Sequence, residues 1–379
     1  MKITDLIALK HHKALIHYIQ QVMSQSPRQC ISFAKFMQLA LYAPGLGYYS
    51  AGSHKLGKQG DFITAPVLSD LFSHTLAKQC AEILSSLKGG DMLEFGAGTG
   101  QMAAAILEKL KELDSLPHHY FILEISADLR ERQQKYLQEH HPDFFSNIIW
   151  LSELPKTFSG IMLANEVLDA MPVHLFEYEN QLQELYVGYD GNEFVWQRGE
   201  PSQMLVELFQ PLKEVSHQWQ TPYLSEVNAL LPGWMKSVAK SLEQGVLLLI
   251  DYGFPRHEYY APSRKMGTLM CHYQQQAHIN PLVLCGLQDI TAHVDFTSVV
   301  ECGVQAGLTL EGFTNQANFL LNCHLMALLE QDASFEHTQA VKMLTLPSEM
   351  GELFKVMGFS KRYNHPLIGF SQGDHSYRL

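Results

Sequence analysis

The chain has 379 residues, of which 46% are hydrophobic and only 17% are charged, and its formal net charge is -12. This length suits one large domain with insertions, and no stretch approaches the roughly 18 uninterrupted apolar residues that a membrane-spanning helix needs. The negative charge and the lack of long Lys/Arg clusters argue against broad binding to nucleic acid or to an anionic membrane. We therefore expect a globular protein with no nucleic-acid partner and no membrane insertion.

The first residues, "MKITDLIALKHHKALIHYIQQVM", have apolar side chains at helical spacing, include Asp5 and lack Arg. This pattern is typical of a folded amphipathic helix and not of a signal or transit peptide. The six cysteines stand singly along the chain, as in proteins of a reducing compartment. We therefore expect the cytoplasm. The Cys and His residues between 271 and 293 have no metal-ligand spacing, so we predict no metal site.

Residues 1–88 are predicted to form a helical N-terminal extension. Within it lies the turn-rich segment "YAPGLGYYSAGSHKLGKQGDFITAP", which ends in "GDFITAP". Loops hold binding sites more often than cores, so Asp61 and Thr64 are candidates for a lid over a cofactor. A structural turn fixed by Gly60 and Pro66 is an equally good alternative.

From Asp91 the pattern changes to alternating strands and helices, which predicts an α/β domain with a parallel sheet and right-handed crossovers over residues 89–379. Insertions are expected at about 173–242, where three short aromatic segments suggest an antiparallel meander, and at about 254–294. The runs "GVLLLIDYG", "LTLEGFTN" and "PLIGFS" are the later strand candidates, with "PLIGFS" as a possible last strand.

The motif "EFGAGTG" lies where a predicted strand turns into a helix. Its glycines, Gly96, Gly98 and Gly100, allow a tight turn and a close approach of the backbone to a ligand. A dinucleotide fingerprint requires G-x-G-x-x-G, and Gln101 stands where the third glycine would be. The spacing G-x-G-x-G after Glu94 favours S-adenosyl-methionine (SAM), and a Gly-rich turn in another α/β protein is the alternative.

Glu124 ends the next predicted strand, 24 positions past Gly100. A carboxylate at this point can accept hydrogen bonds from both hydroxyls of a ribose. The alternative is an exposed, solvated acid.

The stretch "LANEVLDAMPVH" places Asn165, Glu166 and Asp169 after another strand, at the carboxyl edge of the predicted sheet. Carboxylates there can orient an amine or guanidinium toward an electrophilic methyl group. Helix capping by Asn165 is the alternative. His293 and Asp295, in "ITAHVDF", are expected at the same edge, and Asp295 is also a suitable helix cap.

Five motifs together resemble the MidA family of SAM-dependent methyltransferases, whose mitochondrial members are protein arginine methyltransferases that assist assembly of respiratory complex I. The resemblance runs from about residue 47 to residue 321, through "YYSAGSHKLGKQGDFITAP", "LEFGAGTG", "LANEVLDAMPVHLF", "LLLIDYGFPRHEYY" and "GLQDITAHVDF". It implies an α/β fold of the class I SAM-dependent methyltransferase type, Rossmann-like, with a mostly parallel seven-stranded sheet, a helical N-terminal extension and inserted lobes.

The resemblance implies that Gly96, Gly98, Gly100 and Glu124 hold SAM and that Glu166 and Asp169 face the substrate nitrogen. The positions of the other candidates in the chain add them to these two groups. Those expected to bind SAM are Glu94, Gly96, Gly98, Gly100, Glu124, Asn165, Asp61 and Thr64. Those expected to act on the substrate are Glu166, Asp169 and His293. The chain departs from its relatives at Val67, where they approximately have an acid, and at Gln274 and Gln275, where they tend to carry Arg and His. These departures change the charge that a substrate meets.

The resulting hypothesis is a SAM-dependent N-methyltransferase without a metal. Its substrate is expected to be an arginine of a partner protein, for which a respiratory-complex subunit is one candidate. The alternatives are a SAM-binding assembly chaperone with dispensable catalysis, a small-molecule methyltransferase and a nucleotide-dependent oxidoreductase. The oligomeric state is not predicted.

Overall fold

The structure is a computed structural model that describes residues 5–50 and 65–379. The helices are α1 Leu6–Ser24, α2 Phe33–Tyr42, α3 Ala65–Leu68, α4 Asp70–Leu87, α5 Gln101–Glu112, α6 Ala127–His140, α7 Pro142–Phe145, α8 Gln203–Phe209, α9 Lys213–Ser216, α10 Leu231–Ser241, α11 Arg256–Tyr259, α12 Phe296–Gln305, α13 Gln316–Asn322, α14 Leu325–Gln331, α15 Phe335–Thr345 and α16 Met350–Leu353. Among the described helices, none has the length and apolar character that a bilayer crossing requires.

The strands are β1 Ile31–Ser32, β2 Asp91–Phe95, β3 Tyr120–Leu123, β4 Ile148–Leu151, β5 Phe158–Asn165, β6 His174–Tyr178, β7 Leu182–Tyr189, β8 Phe194–Gly199, β9 Tyr223–Val227, β10 Leu242–Phe254, β11 Met270–Tyr273, β12 Gln276–His278, β13 Asp289–Thr291, β14 Val294–Asp295, β15 Thr309–Asn315 and β16 Phe354–Lys361.

The main sheet has the strand order β15-β16-β10-β5-β2-β3-β4, and the short β14 pairs with the end of β10. Strands β4, β3, β2, β5 and β10 are parallel, whereas β16 runs antiparallel to both β10 and β15. Helices cover both faces, so the central strands contain buried apolar runs, such as that from Val246 to Ile250. The predicted mostly parallel seven-stranded sheet is confirmed.

The last strand is not where the sequence analysis placed it. In the predicted "PLIGFS" segment, residues 368–370 form a 3₁₀ turn, and the antiparallel strand is β16. The reason is packing: the Phe370 ring lies 5.5 Å from that of Phe319 on α13, and a Cβ at Gly369 would collide with the Phe319 ring. The segment therefore fills the space beside α13 and does not pair with the sheet.

Two smaller sheets lie in the regions predicted as insertions, except for strand β1, which joins the first of them from the N-terminal extension. The first has the order β1-β7-β6-β9 with β8 on β7, is antiparallel and contains the predicted meander β6–β8. The second is the antiparallel sheet β12-β11-β13. Helices α1 and α2 share a core with these sheets, through Leu15, Phe36, Val187 and Ile290, whereas α4 packs in the core of the main sheet. The proposed domain boundaries stay a prediction.

The candidate residues come together because parallel strands end at the same edge of a sheet. Phe95, the last residue of β2, is paired with Ala164 of β5, and Asn165 is paired with Ile250 of β10. The turn after β2, the turn after β5 and Asp251 are therefore neighbours.

Candidate functional site

A cavity of about 460 Å³ opens at this edge of the sheet, large enough for a small-molecule cofactor. It is walled by the turns after β2, β3 and β5, by the end of α2 and by the start of α10. Its lining includes Gln38, Tyr42, Tyr49, Glu94, Gly96, Gly98, Glu124, Asn165, Glu166 and Trp234. Most of the predicted cofactor residues therefore lie on one surface.

The glycine turn after β2 adopts a backbone that side chains disfavour. Gly96, Gly98 and Gly100 have φ angles of 62°, 53° and 84°, in the left-handed region. Gly100 is the N-cap of α5, so the helix N-terminus and its free N–H groups follow the turn directly. The glycines explain both the sharp turn and the access of a ligand to the backbone.

Two buried acids flank this turn. Glu94 accepts a hydrogen bond of 2.7 Å from the Tyr120 hydroxyl on one oxygen, while its other oxygen has no partner in the described structure. Burial raises the pKa of Glu94 to about 7. Glu124 accepts from the Ser126 N–H at 2.9 Å and from the Gln133 amide at 3.0 Å, and burial raises its pKa as well. Both acids can accept further hydrogen bonds from a ligand.

The turn after β5 presents the opening residues of "NEVLDAMP". Glu166 has a φ of 53°, which is uncommon for a residue with a side chain, and its N–H donates to the Ile250 carbonyl at 2.9 Å. Asn165 donates to Glu166 at 3.4 Å, and its Oδ1 is buried without a hydrogen-bond partner in the described structure. Residues 166–173 form turns and no helix. The helix-capping interpretation of Asn165 is therefore wrong.

Asp251, at the end of β10, holds this turn by its backbone. Its Oδ2 accepts from the N–H groups of Leu168 at 2.9 Å and of Asp169 at 3.2 Å. The buried carboxylate of Asp169 accepts from the Tyr252 hydroxyl on one oxygen, and its other oxygen has no partner in the described structure. Asp169 is not among the residues that line the cavity. Of the two carboxylates expected to contact the substrate nitrogen, only that of Glu166 lines the cavity, and Asp169 is a charged neighbour of Glu166.

The electrostatics of the turn are those of acids without a counter-ion. Burial, together with the negative charges of Asp169 and Asp289, raises the pKa of Glu166 to about 8, although the hydrogen bond from Asn165 lowers it. Burial also raises the pKa of Asp169 to about 6 and the pKa of Asp251 well above its usual range. Among the described residues that line the cavity, none is a Lys, Arg or His. The cavity therefore favours a cationic occupant.

The opposite wall carries two tyrosines that the sequence analysis did not single out. Tyr42 and Tyr49 stack with ring centroids 5.5 Å apart. The Tyr42 hydroxyl donates to the Ala170 carbonyl at 2.9 Å, and the Tyr49 hydroxyl donates to Asp289 at 2.9 Å. Aromatic faces beside carboxylates are a further feature that suits a cation. No local pattern marks these tyrosines, since their partners are more than a hundred residues away in the chain.

His293 lies in a second, smaller cavity of about 190 Å³, between β9, α8 and α12. Its ring stacks on Phe254, with centroids 5.4 Å apart, and lies edge-on to Tyr252. Burial lowers the pKa of His293 to about 4, so the ring is neutral at neutral pH. His293 does not line the first cavity, because its ring packs against Phe254 and Tyr252 in the second cavity, so the structure does not bring it to the position that the expected catalytic role requires.

The second cavity contains its own cation. Arg256 donates to Glu301 at 2.9 Å and pairs with Asp295 at 3.4 Å. Asp295 also caps α12 by accepting from the N–H groups of Thr297 and Ser298, as expected.

Within residues 5–50 and 65–379 no cluster of His, Cys, Asp and Glu could hold a metal ion. Asp61 and Thr64 lie outside the described residues.

The sheet order, the antiparallel β16 and the glycine turn between β2 and α5 define a class I SAM-dependent methyltransferase. Residues 75–314 match the model of a family described as "Putative S-adenosyl-L-methionine-dependent methyltransferase", and the chain belongs to this family. The left-handed glycines, the acid after β3 and the unpartnered Asn165 oxygen fit SAM, which is the cofactor.

A solved structure from Burkholderia thailandensis, bound to S-adenosyl-homocysteine, is 38% identical to this chain, covers both chains completely and has a TM-score of 0.95. Among curated proteins, the zebrafish (Danio rerio) protein arginine methyltransferase NDUFAF7, mitochondrial, is 26% identical over 90% of this chain and 85% of its own length. The human protein of the same name is 27% identical over 90% of this chain and 81% of its own length. The protein is thus similar to methyltransferases over most of its length.

Proposed function

We propose that the protein transfers a methyl group from SAM to a nitrogen of an arginine side chain in a partner protein. The observation that carries the proposal is the uncompensated acidity of the first cavity. Glu166 lines it beside Asp169 and Asp251, and no basic side chain is among its described lining residues. A guanidinium has five N–H donors and a permanent positive charge. It would therefore supply the hydrogen-bond donors and the counter-charge that the acids of this cavity do not have. The names of the curated relatives support the same substrate class.

The cofactor half of the cavity is assigned to the glycine turn and its flanking residues. When bound, SAM supplies a methyl group activated by a sulfonium. The N–H groups that follow Gly98 and Gly100, the carboxylate of Glu124 and the side chain of Asn165 are the groups proposed to hold it. Glu94 adds a second carboxyl beside the glycine turn.

The acceptor half is assigned to Glu166. Its carboxylate accepts an N–H of the incoming guanidinium, orients the nitrogen and takes up the proton that this nitrogen releases. A pKa of about 8 in the free protein suits a group that exchanges a proton near neutral pH. Asp169 acts indirectly, by keeping a negative charge next to Glu166.

Partner and location are part of the proposal. A respiratory-complex subunit is the proposed class of partner, and the cytoplasm is the proposed compartment. The location is supported by the six cysteines, all within the described residues and none in a disulfide.

The test is methyl transfer in an extract of cells that lack this protein, with SAM labelled in its methyl group. We expect a labelled protein whose hydrolysate contains N-methylated arginine. Glu166→Gln should remove the label, whereas the control Glu301→Gln, an acid of the second cavity, should retain it. Label on another amino acid, or only in the small-molecule fraction, would contradict the proposed substrate.

A further inference from the structure

One buried side chain connects the two parts of the predicted cofactor site. Gln133 of α6 is fully buried, and its Nε2 donates to the Gly98 carbonyl at 3.1 Å and to Glu124 Oε2 at 3.0 Å. The glycine turn and the acid after β3 are otherwise on separate strands. The pairing of β2 with β3 and a hydrogen bond from the Gly96 N–H to the Leu123 carbonyl bring them near each other, and the amide of Gln133 adds a direct link between the Gly98 carbonyl and the Glu124 carboxylate.

The orientation of this amide is set by Trp150. The indole Nε1 of Trp150 donates to Gln133 Oε1 at 3.0 Å. Because an indole N–H can only donate, the amide oxygen must face Trp150 and both amide hydrogens must face the cavity side. The amide oxygen and both amide hydrogens of Gln133 then each have a partner. Turning the amide over would place its NH₂ group against the indole N–H, so the flipped orientation is less favourable.

We propose that Gln133 is a positioning residue for the cofactor, which holds the Gly98 turn and the Glu124 carboxylate in the arrangement that binds SAM. The inference rests on the proposed role of Glu124. With Gln133 on Oε2 and the Ser126 N–H on Oε1, the carboxylate of Glu124 cannot rotate, and its remaining lone pairs point in fixed directions. Such support by a second layer of residues is known to determine the affinity of binding sites.

The first experiment compares the affinity of wild type and Gln133→Leu for S-adenosyl-homocysteine by calorimetry. We expect the dissociation constant to rise about tenfold or more, because two acceptors lose a buried donor. The matched control is Gln316→Leu. Gln316 is also fully buried and also donates its amide to a backbone carbonyl, that of Leu344 at 3.0 Å, but it does not line the first cavity. The control should lose thermal stability and keep its affinity.

A double-mutant cycle separates the inference from the role of Glu124. If Glu124→Gln alone leaves the affinity unchanged, the proposed role of Glu124 is wrong. If Glu124→Gln weakens binding but Gln133→Leu does not, Gln133 is not a positioning residue. The expected result is that Gln133→Leu costs much less affinity in the Glu124→Gln background than in wild type.

A second variant covers the case in which Gln133→Leu folds poorly. Trp150→Phe leaves Gln133 in place but frees its amide to turn, and should raise the dissociation constant severalfold. An unchanged affinity in this variant would overturn the assigned orientation.

The pH dependence of binding gives an independent readout. The hydrogen bond from Gln133 lowers the pKa of Glu124, so Gln133→Leu should move the acid-side loss of affinity to higher pH. Glu94 faces the same cavity, and the charge of Arg130 also lowers the pKa of Glu124, but neither residue changes in this variant. An unshifted pH midpoint would contradict the inference.

Discussion

The two cavities at the carboxyl edge of the sheet are both rich in acids and differ in their cations. In the second cavity Arg256 pairs with Asp295 and Glu301, so these two acids are neutralised within the protein, and the third acid, Glu226, is held by hydrogen bonds from Tyr259 and Thr268. In the first cavity the described lining contains Glu94, Glu124 and Glu166 but no basic residue. The difference indicates which acidity is structural and which is available to a ligand, because buried charges need a partner of opposite sign.

The largest expected effect is at the acid that lacks a cation. Glu166→Gln preserves the shape of the side chain and removes its charge and its capacity to accept a proton. Methyl transfer to an arginine acceptor should fall about a thousandfold. The affinity for S-adenosyl-homocysteine should change less than about threefold, since the glycine turn and Glu124 are intact. Unchanged transfer would remove Glu166 from the mechanism and erase the functional difference between the cavities.

The converse change removes the cation of the second cavity. Arg256→Met leaves the buried Asp295 and the partly exposed Glu301 without their partner, and should lower the free energy of unfolding by about 3 kcal/mol. The measurement is chemical denaturation, with Glu301→Gln as a milder control that keeps the pair with Asp295. If Arg256→Met were as stable as wild type, the acids of this cavity would not need their cation.

A third prediction concerns pH. The carboxyl of Glu166 has a pKa of about 8 in the free protein, so it is mostly protonated below that pH and binds a cation less well. For an arginine acceptor, kcat/KM should therefore rise about tenfold per pH unit on the acid side and level off near pH 8. A profile that is flat between pH 6 and pH 8 would exclude a titrating Glu166.

The smallest effect is expected at Tyr252. Its hydroxyl lowers the pKa of Asp169, so Tyr252→Phe should raise that pKa and leave Asp169 more often protonated. A protonated Asp169 no longer raises the pKa of Glu166, and the acid limb of the pH profile should shift to lower pH. Activity at pH 8 should change only a few-fold. A shift to higher pH would contradict the assigned coupling.

The sequence was most informative where function depends on backbone geometry at a strand end. The common position of the glycine turn, Glu124 and Glu166 around one cavity could be predicted, because the carboxyl ends of parallel strands lie at the same edge of a sheet. His293 could not be placed, since its direction depends on stacking against Phe254, which only the folded structure provides. Gln133 is one polar residue on the inner face of a helix, and its partners lie on other elements. Tyr42 and Tyr49 could not be predicted either, because their hydrogen-bond partners also lie on distant parts of the chain.

Several hydrogen bonds hold the turn after β5 by its main-chain atoms. Asp251 accepts from the N–H groups of Leu168 and Asp169, Ala292 donates to the Asp169 carbonyl, and Tyr42 donates to the Ala170 carbonyl. Main-chain atoms are present whatever side chains the turn carries. Acceptor preference can therefore diverge by exchange of a side chain that faces the cavity, such as Glu166, while these hydrogen bonds keep the path of the turn.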